Sequence, residues 1–156
     1  MLSANQTRQR GFTLIELVVV IVIIGILAAF AIPRFANIAA DARRSTVNGM
    51  AGTLRSTSAL VHGLALARNN PASVLLENKT INIVFSYPAG TNVSGIGDSL
   101  SNVDGFGVTE TPGPPATIRF TPTGLTNPTT TCSALYTAAT SAAIPASVSQ
   151  DVTNCD

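Results

Sequence analysis

Apolar residues run almost unbroken from Phe12 to Ile32; only Thr13, Glu16 and Gly25 in that stretch are not plainly apolar. At about 1.5 Å rise per residue the stretch crosses a hydrocarbon core of roughly 30 Å, so the pattern predicts one membrane-spanning helix. From Arg34 to about Ala67 the pattern turns amphipathic. Phe35, Ile38, Ala39, Ala42, Val47, Met50, Leu54, Val61, Leu64 and Ala65 recur mostly at three- and four-residue steps, the period of a helix with one buried face. Asp41 is placed to pair with Arg44 one turn on. Asn69-Asn70-Pro71 ends the pattern. The two stretches together predict one helix of about 80 Å from Thr13 to Ala67. Gly49, Gly52 and Gly63 and the absence of a strict heptad argue against a coiled coil.

After Pro71 the period shortens. Thr80–Tyr87 is β-branched and aromatic and ends at Pro88-Ala89-Gly90, the pattern of a strand. Asn92–Gly107 is glycine-rich and reads mainly as loop. Further strands are predicted near Ala116–Thr121, Cys132–Thr137 and, more weakly, Ser147–Thr153. The expected fold is α+β: a long N-terminal helix whose second half packs on a small antiparallel sheet. The divisions are residues 1–11 as a polar leader, 12–33 as the apolar helix, 34–70 as its amphipathic continuation and 71–156 as the head.

Glu16 is what a plain membrane anchor leaves unexplained. A carboxylate in lipid is costly, by about 2.5–3.5 kcal/mol at the centre and less near an end, and normally has a partner. In the first helical turn it also favours the helix dipole by about 0.3–1 kcal/mol, which does not offset burial in lipid. The segment before it is polar, with Arg8 and Arg10 as its charges. A secretory signal peptide is cut after its apolar core, and no clean site follows this one. Arg8 and Arg10 on one side and Arg34, Arg43 and Arg44 on the other leave the orientation open.

Gly11-Phe12-Thr13-Leu14-Ile15-Glu16 followed by an apolar run resembles the type IV prepilin signal, shared by type IV pilins and the pseudopilins of type II secretion. The resemblance implies cleavage after Gly11 by a membrane-embedded prepilin peptidase and methylation of the new N-terminal Phe12. It gives Glu16, with Phe12, a role in assembly into a helical filament of identical chains. It implies a single pass of the bacterial inner membrane with a cytoplasmic leader, then extraction by the pilus assembly machinery into an extracellular pilus. Related pilins unwind between positions matching Gly25 and Pro33 in the filament, so these two residues mark an expected helix break there; the lone chain is expected to stay helical. Ile83-Val84-Phe85-Ser86-Tyr87-Pro88, Cys132-Ser133-Ala134-Leu135-Tyr136-Thr137-Ala138, Pro33-Arg34-Phe35 and Asp41-Ala42-Arg43 look like mannose-sensitive haemagglutinin pilins in particular.

Cys132 and Cys155 are the two cysteines of the chain. In an exported domain such a pair reads as a disulfide, worth about 3 kcal/mol in the chain-entropy model; two free thiols is the alternative. Type IV pilins commonly staple a C-terminal loop this way, whereas major pseudopilins usually carry a calcium loop, so the resemblance leans toward a true pilin.

Composition narrows the function classes further. Charged residues make up 11 % of the chain against roughly a quarter in ordinary soluble domains. The net charge of +1 provides no field for nucleic acid. His62 is the single histidine and reads as a half-exposed helix residue rather than a base. Gly95-Ile96-Gly97-Asp98 is too short for a phosphate loop, and neither Gly-Lys-Ser nor Gly-Lys-Thr occurs. Asp98, Asp104 and Glu110 do not have EF-hand spacing and read as loop acids. No catalytic residue, cofactor site or metal site is expected. The readings are a structural subunit of an adhesive extracellular filament, or a pseudopilin that stays in the envelope; a membrane-anchored enzyme has no residues to support it.

Overall fold

The computed structural model describes residues 11–35, 38–125 and 131–155. The chain divides between Ile38 and Ala39 into two units. The first contains α1, Leu14–Phe35, helical through both Gly25 and Pro33. Thr13 starts it. Its hydroxyl accepts from the Glu16 N–H at 3.4 Å, while the Glu16 carboxylate accepts from the Thr13 N–H at 2.9 Å. This reciprocal box satisfies helix-end donors that have no partner in the first turn. The Leu14–Ala31 window has a mean hydropathy of 3.1, and none of it is buried within the chain.

The second unit is built on α2, Ile38–Ala67, whose face of Val47, Met50, Ala51, Leu54, Ser58, Val61 and Ala65 is buried. Asp41 and Arg44 form the expected ion pair at 2.8 Å. The helix ends as its Asn-Asn-Pro sequence predicts. Asn69 and Asn70 take positive φ, and the Asn70 N–H reaches back to the Ala65 carbonyl at 2.7 Å, closing the last turn. The expected single helix Thr13–Ala67 is thus seen as α1 and α2, with their junction at residues 36 and 37 outside the described residues. Ile38, Ala39 and Ala42, counted in the buried stripe from sequence, are exposed.

Among the described residues seven strands follow: β1 (Ser73–Leu76), β2 (Lys79–Val84), β3 (Tyr87–Pro88), β4 (Phe106–Thr111), β5 (Thr117–Pro122), β6 (Cys132–Thr137) and β7 (Ser147–Val152). They form two antiparallel sheets, β1-β2-β3 and β4-β5-β6-β7, rather than one. Two expectations need correction. The strand Thr80–Tyr87 is a hairpin: the chain reverses at Phe85 and Ser86, both at positive φ, so that Val84 faces Tyr87. Phe106–Thr111, whose start falls in the stretch that reads as glycine-rich loop, is β4, paired along its whole length with β5. Gly107 interrupts the side-chain alternation and Gly105 precedes it, so the start of β4 reads as loop although Val108, Thr109 and Thr111 favour a strand.

The main core joins α2 (Val47, Met50, Ala51, Leu54) to β5 and β6 (Ile118, Phe120, Ala134, Tyr136) and to Ile96 and Leu100 from the 89–105 connection. A smaller cluster packs Val61 of α2 on Val74 and Ile81 of the first sheet. Gly90 sits at a tight crossing, where a Cβ would lie 2.6 Å from the Ala116 carbonyl. Tyr136 ties the two sheets together. Its fully buried hydroxyl donates to the Pro88 carbonyl at 2.7 Å, and burial pushes its pKa well above the usual phenol value.

Candidate assembly and processing site

Gly11 and Phe12 lie just ahead of α1, and both are exposed, Phe12 by 89 %. A Cβ at Gly11 would meet nothing within 4 Å, so the fold itself does not require glycine there. The same holds for Gly25. Packing within one chain explains neither glycine.

Glu16 has a partner in its own chain. Its Oε2 accepts from the Thr13 N–H and from the Thr13 hydroxyl, each at 2.9 Å. The hydroxyl, which also receives the Glu16 N–H, is shared within the box. Sequence reasoning missed this arrangement, although Thr-x-x-Glu before an apolar run is its signature. Phe12, Ile15, Val19 and Val20 form a shallow groove of about 410 Å³ beside Glu16. The arrangement offers a carboxylate at the edge of an apolar surface, held there by two hydrogen bonds from Thr13.

Cys132 and Cys155 are bonded, with Cα atoms 5.1 Å apart, and both are fully buried. Cys132 opens β6 opposite Val152 of β7, so the bridge closes the end of that hairpin. The residues just after β7 are therefore fixed to the start of β6.

The sequence profile of the prokaryotic N-terminal methylation motif matches residues 6–32. The chain is 41 % identical over 88 residues to the type IV narrow pilus major component PilA5 of Thermus thermophilus, covering 56 % of this chain and 67 % of that relative. The chain belongs to the type IV pilin family. This pilin is also 40 % identical over 72 residues to the type IV major alpha-pilin of Moraxella bovis, covering 45 % of each. It is 45 % identical over 71 residues to the type IV major pilin protein PilE1 of Neisseria gonorrhoeae, covering 44 % of this chain and 33 % of that relative. It spans two thirds of PilA5 and about half or less of the other two relatives. No solved structure matches it.

The remaining candidates from sequence have other engagements. Asp98 accepts from the Ser94 N–H at 2.7 Å and pairs with Lys79 at 3.3 Å. That N–H, ahead of the lysine, holds its carboxyl below the usual range. Glu110 accepts from the Asn92 N–H at 2.7 Å. These acids brace the 89–105 connection. Among the described residues no group of three His, Cys, Asp or Glu side chains is placed to hold a metal ion. His62 stacks on Tyr87, ring centroids 4.1 Å apart, and its Nδ1 lies 2.8 Å from the Ser86 carbonyl.

Proposed function

We propose that this pilin is the major structural subunit of an extracellular type IV pilus that serves surface adhesion. The observation that carries the reading is the joining of the methylation motif to a helix whose apolar surface finds no cover within its own chain. Such a surface has two places to go, lipid or the matching helices of other copies, and a pilin uses both in turn. Prepilin peptidase cuts after Gly11, and Phe12 is methylated. The divisions at residues 11, 33 and 70 then separate leader, core helix, continuation and head.

Before assembly the chain crosses the inner membrane once, with its leader in the cytoplasm. Within the membrane the Thr13 box satisfies Glu16. On assembly the carboxylate has a stronger partner, the charged amine of Phe12 on an adjacent copy, because both charges are otherwise stranded in an apolar core. Small residues at Ala28, Ala29 and Ala31 let helices approach, and the stretch from Gly25 to Pro33 unwinds in the filament. The narrower likeness to mannose-sensitive haemagglutinin pilins belongs to this reading and rests on the short pieces quoted above. The pseudopilin alternative is less supported: the relatives carry pilus names, and the head is closed by a disulfide.

Electron microscopy of surface material sheared from cells, with mass spectrometry of the isolated filaments, tests the reading. Filaments composed mainly of this chain are expected. Retention of the chain in the envelope, with none in sheared material, would favour the pseudopilin.

A further inference from the structure

Cys132 and Cys155 are bonded, fully buried, and both part of the main core. No external thiol or disulfide reaches either sulfur while the head is closed, so the bond is made and exchanged only through a local opening. The two cysteines are held by different means. Cys132 opens β6, which faces β7 residue for residue from Cys132–Val152 to Thr137–Ser147. Cys155 lies past Val152, where no strand pairing continues among the described residues. Among those residues three side-chain bonds tether its turn. Thr153 Oγ1 lies 3.3 Å from the Thr131 carbonyl, but its one proton has a nearer acceptor in Asp151 Oδ1 at 2.6 Å. Asn154 Nδ2 reaches Thr131 Oγ1 only at 3.4 Å. The third tether is Arg43, whose Nη1 donates to the Cys155 carbonyl at 3.0 Å while Nη2 donates to the Gly124 carbonyl at 2.9 Å. A charged donor makes a bond roughly twice as strong as a neutral one. Releasing Arg43 therefore frees Cys155 with the β6–β7 ladder whole, whereas exposing Cys132 breaks into that ladder.

We propose that Arg43 latches the Cys155 turn, and that thiol–disulfide exchange enters the head through Cys155, with Cys132 as the resolving cysteine. In bond formation the Cys155 thiolate attacks one sulfur of an external disulfide. A mixed disulfide forms and one external thiolate leaves. The turn then closes, and the Cys132 thiolate attacks the Cys155 sulfur, forming the native bond and expelling the second external thiolate. The two protein thiols give up two electrons and two protons, and the external disulfide becomes two thiols. Reduction runs through the same steps backwards: an external thiolate attacks Cys155 Sγ, and Cys132 leaves as the thiolate. A second external thiolate then attacks the external sulfur of the mixed disulfide, releasing Cys155. Arg43 bonds to the Cys155 carbonyl and not to a sulfur. It is a positioning residue, and it sets how often the turn opens.

Glutathione added to the full, disulfide-bonded chain in detergent tests this. The exchange is stopped with excess maleimide, and mass spectrometry maps which cysteine carries glutathione. In the unaltered chain the early adduct is expected on Cys155, several-fold over Cys132, with maleimide on Cys132. Arg43→Ala is expected to speed the exchange several-fold and to leave the adduct on Cys155. Arg55→Ala is the control, because Arg55 ties α2 to β7 through the Val148 carbonyl and Gln150. Its loss is expected to leave the exchange rate unchanged, whatever it does to melting. An early adduct on Cys132, or equally on both cysteines, would overturn the inference. So would Arg43→Ala exchanging at the unaltered rate, or Arg55→Ala exchanging as fast as Arg43→Ala. The mapping needs no variant, so it decides the entry point even if Arg43→Ala does not fold. Neither readout requires a filament, so the outcome is independent of the pilus reading.

Discussion

Arg43, near the start of α2, donates from Nη1 to the carbonyl of Cys155 at 3.0 Å, and from Nη2 to the carbonyl of Gly124 at 2.9 Å. One guanidinium thus ties the helix to the disulfide loop and to the end of the segment after β5. Hydrogen bonds from charged donors contribute about 1.5–3 kcal/mol when buried, and these are partly exposed. Arg43→Ala should therefore destabilise the head by about 1–2 kcal/mol. The expected readout is a melting temperature lowered by about 5 °C in the full chain in detergent. Arg43→Lys should recover little, because a single ammonium does not reproduce the fork.

Breaking the staple acts on the same corner. Cys132→Ser leaves α1 and α2 their sequences, but frees the closing segment of the β6–β7 hairpin. Loss of about 3 kcal/mol is expected from chain entropy. The precursor should still insert and be cut, with few filaments. Thiol labelling of native filaments checks the premise, and reactive cysteines there would refute it.

Processing is tested at Gly11. Glycine lets an extended backbone approach the peptidase closely, where a side chain obstructs it, and a Cβ at this position disturbs nothing in the folded chain. Gly11→Val should accumulate precursor while the head stays folded. The mature subunit should begin at N-methylated Phe12, as read by N-terminal mass.

Glu16→Ala separates assembly from processing. It removes the carboxylate from the Thr13 box and from the neighbour's amine alike, so cleavage should continue while filament yield falls sharply. Thr13→Ala removes the box hydroxyl alone and should cost less than Glu16→Ala. Wild-type filament yield from Glu16→Ala would count against the pairing.

Acid should loosen the head at the 89–105 connection. The folded pKa of Asp98 lies below its ordinary 3.8, first through the Ser94 N–H. A depressed acid contributes stability above its unfolded pKa and loses that contribution as pH falls through the folded value. Melting temperature should therefore fall below about pH 4. Asp98→Asn should flatten part of that fall; an unchanged profile would show that Asp98 carries none of it.

Much of the chain declares itself in one dimension. The apolar run, the Asn-Asn-Pro stop after α2 and the Asp41–Arg44 pair follow from local periodicity and local charge, because neighbours within one helical turn make the contacts. The methylation motif is linear too, carried by residues 6–32 alone. The two cysteines admitted one intrachain bond, though its place at the end of β6–β7 required the pairing of those strands.

What only the tertiary structure decided depends on partners far along the chain. Phe85 and Ser86 look like strand residues; they turn because His62, on another element, stacks on Tyr87 and meets the Ser86 carbonyl. β4 is paired along its whole length with β5, a partner that its own short sequence does not announce. Arg43 could be counted from sequence as a flanking charge, but its two carbonyl acceptors lie 81 and 112 residues away. Periodicity carries contacts within a turn or a strand; a donor and acceptor separated by such a length of chain are matched only once the core between them has packed.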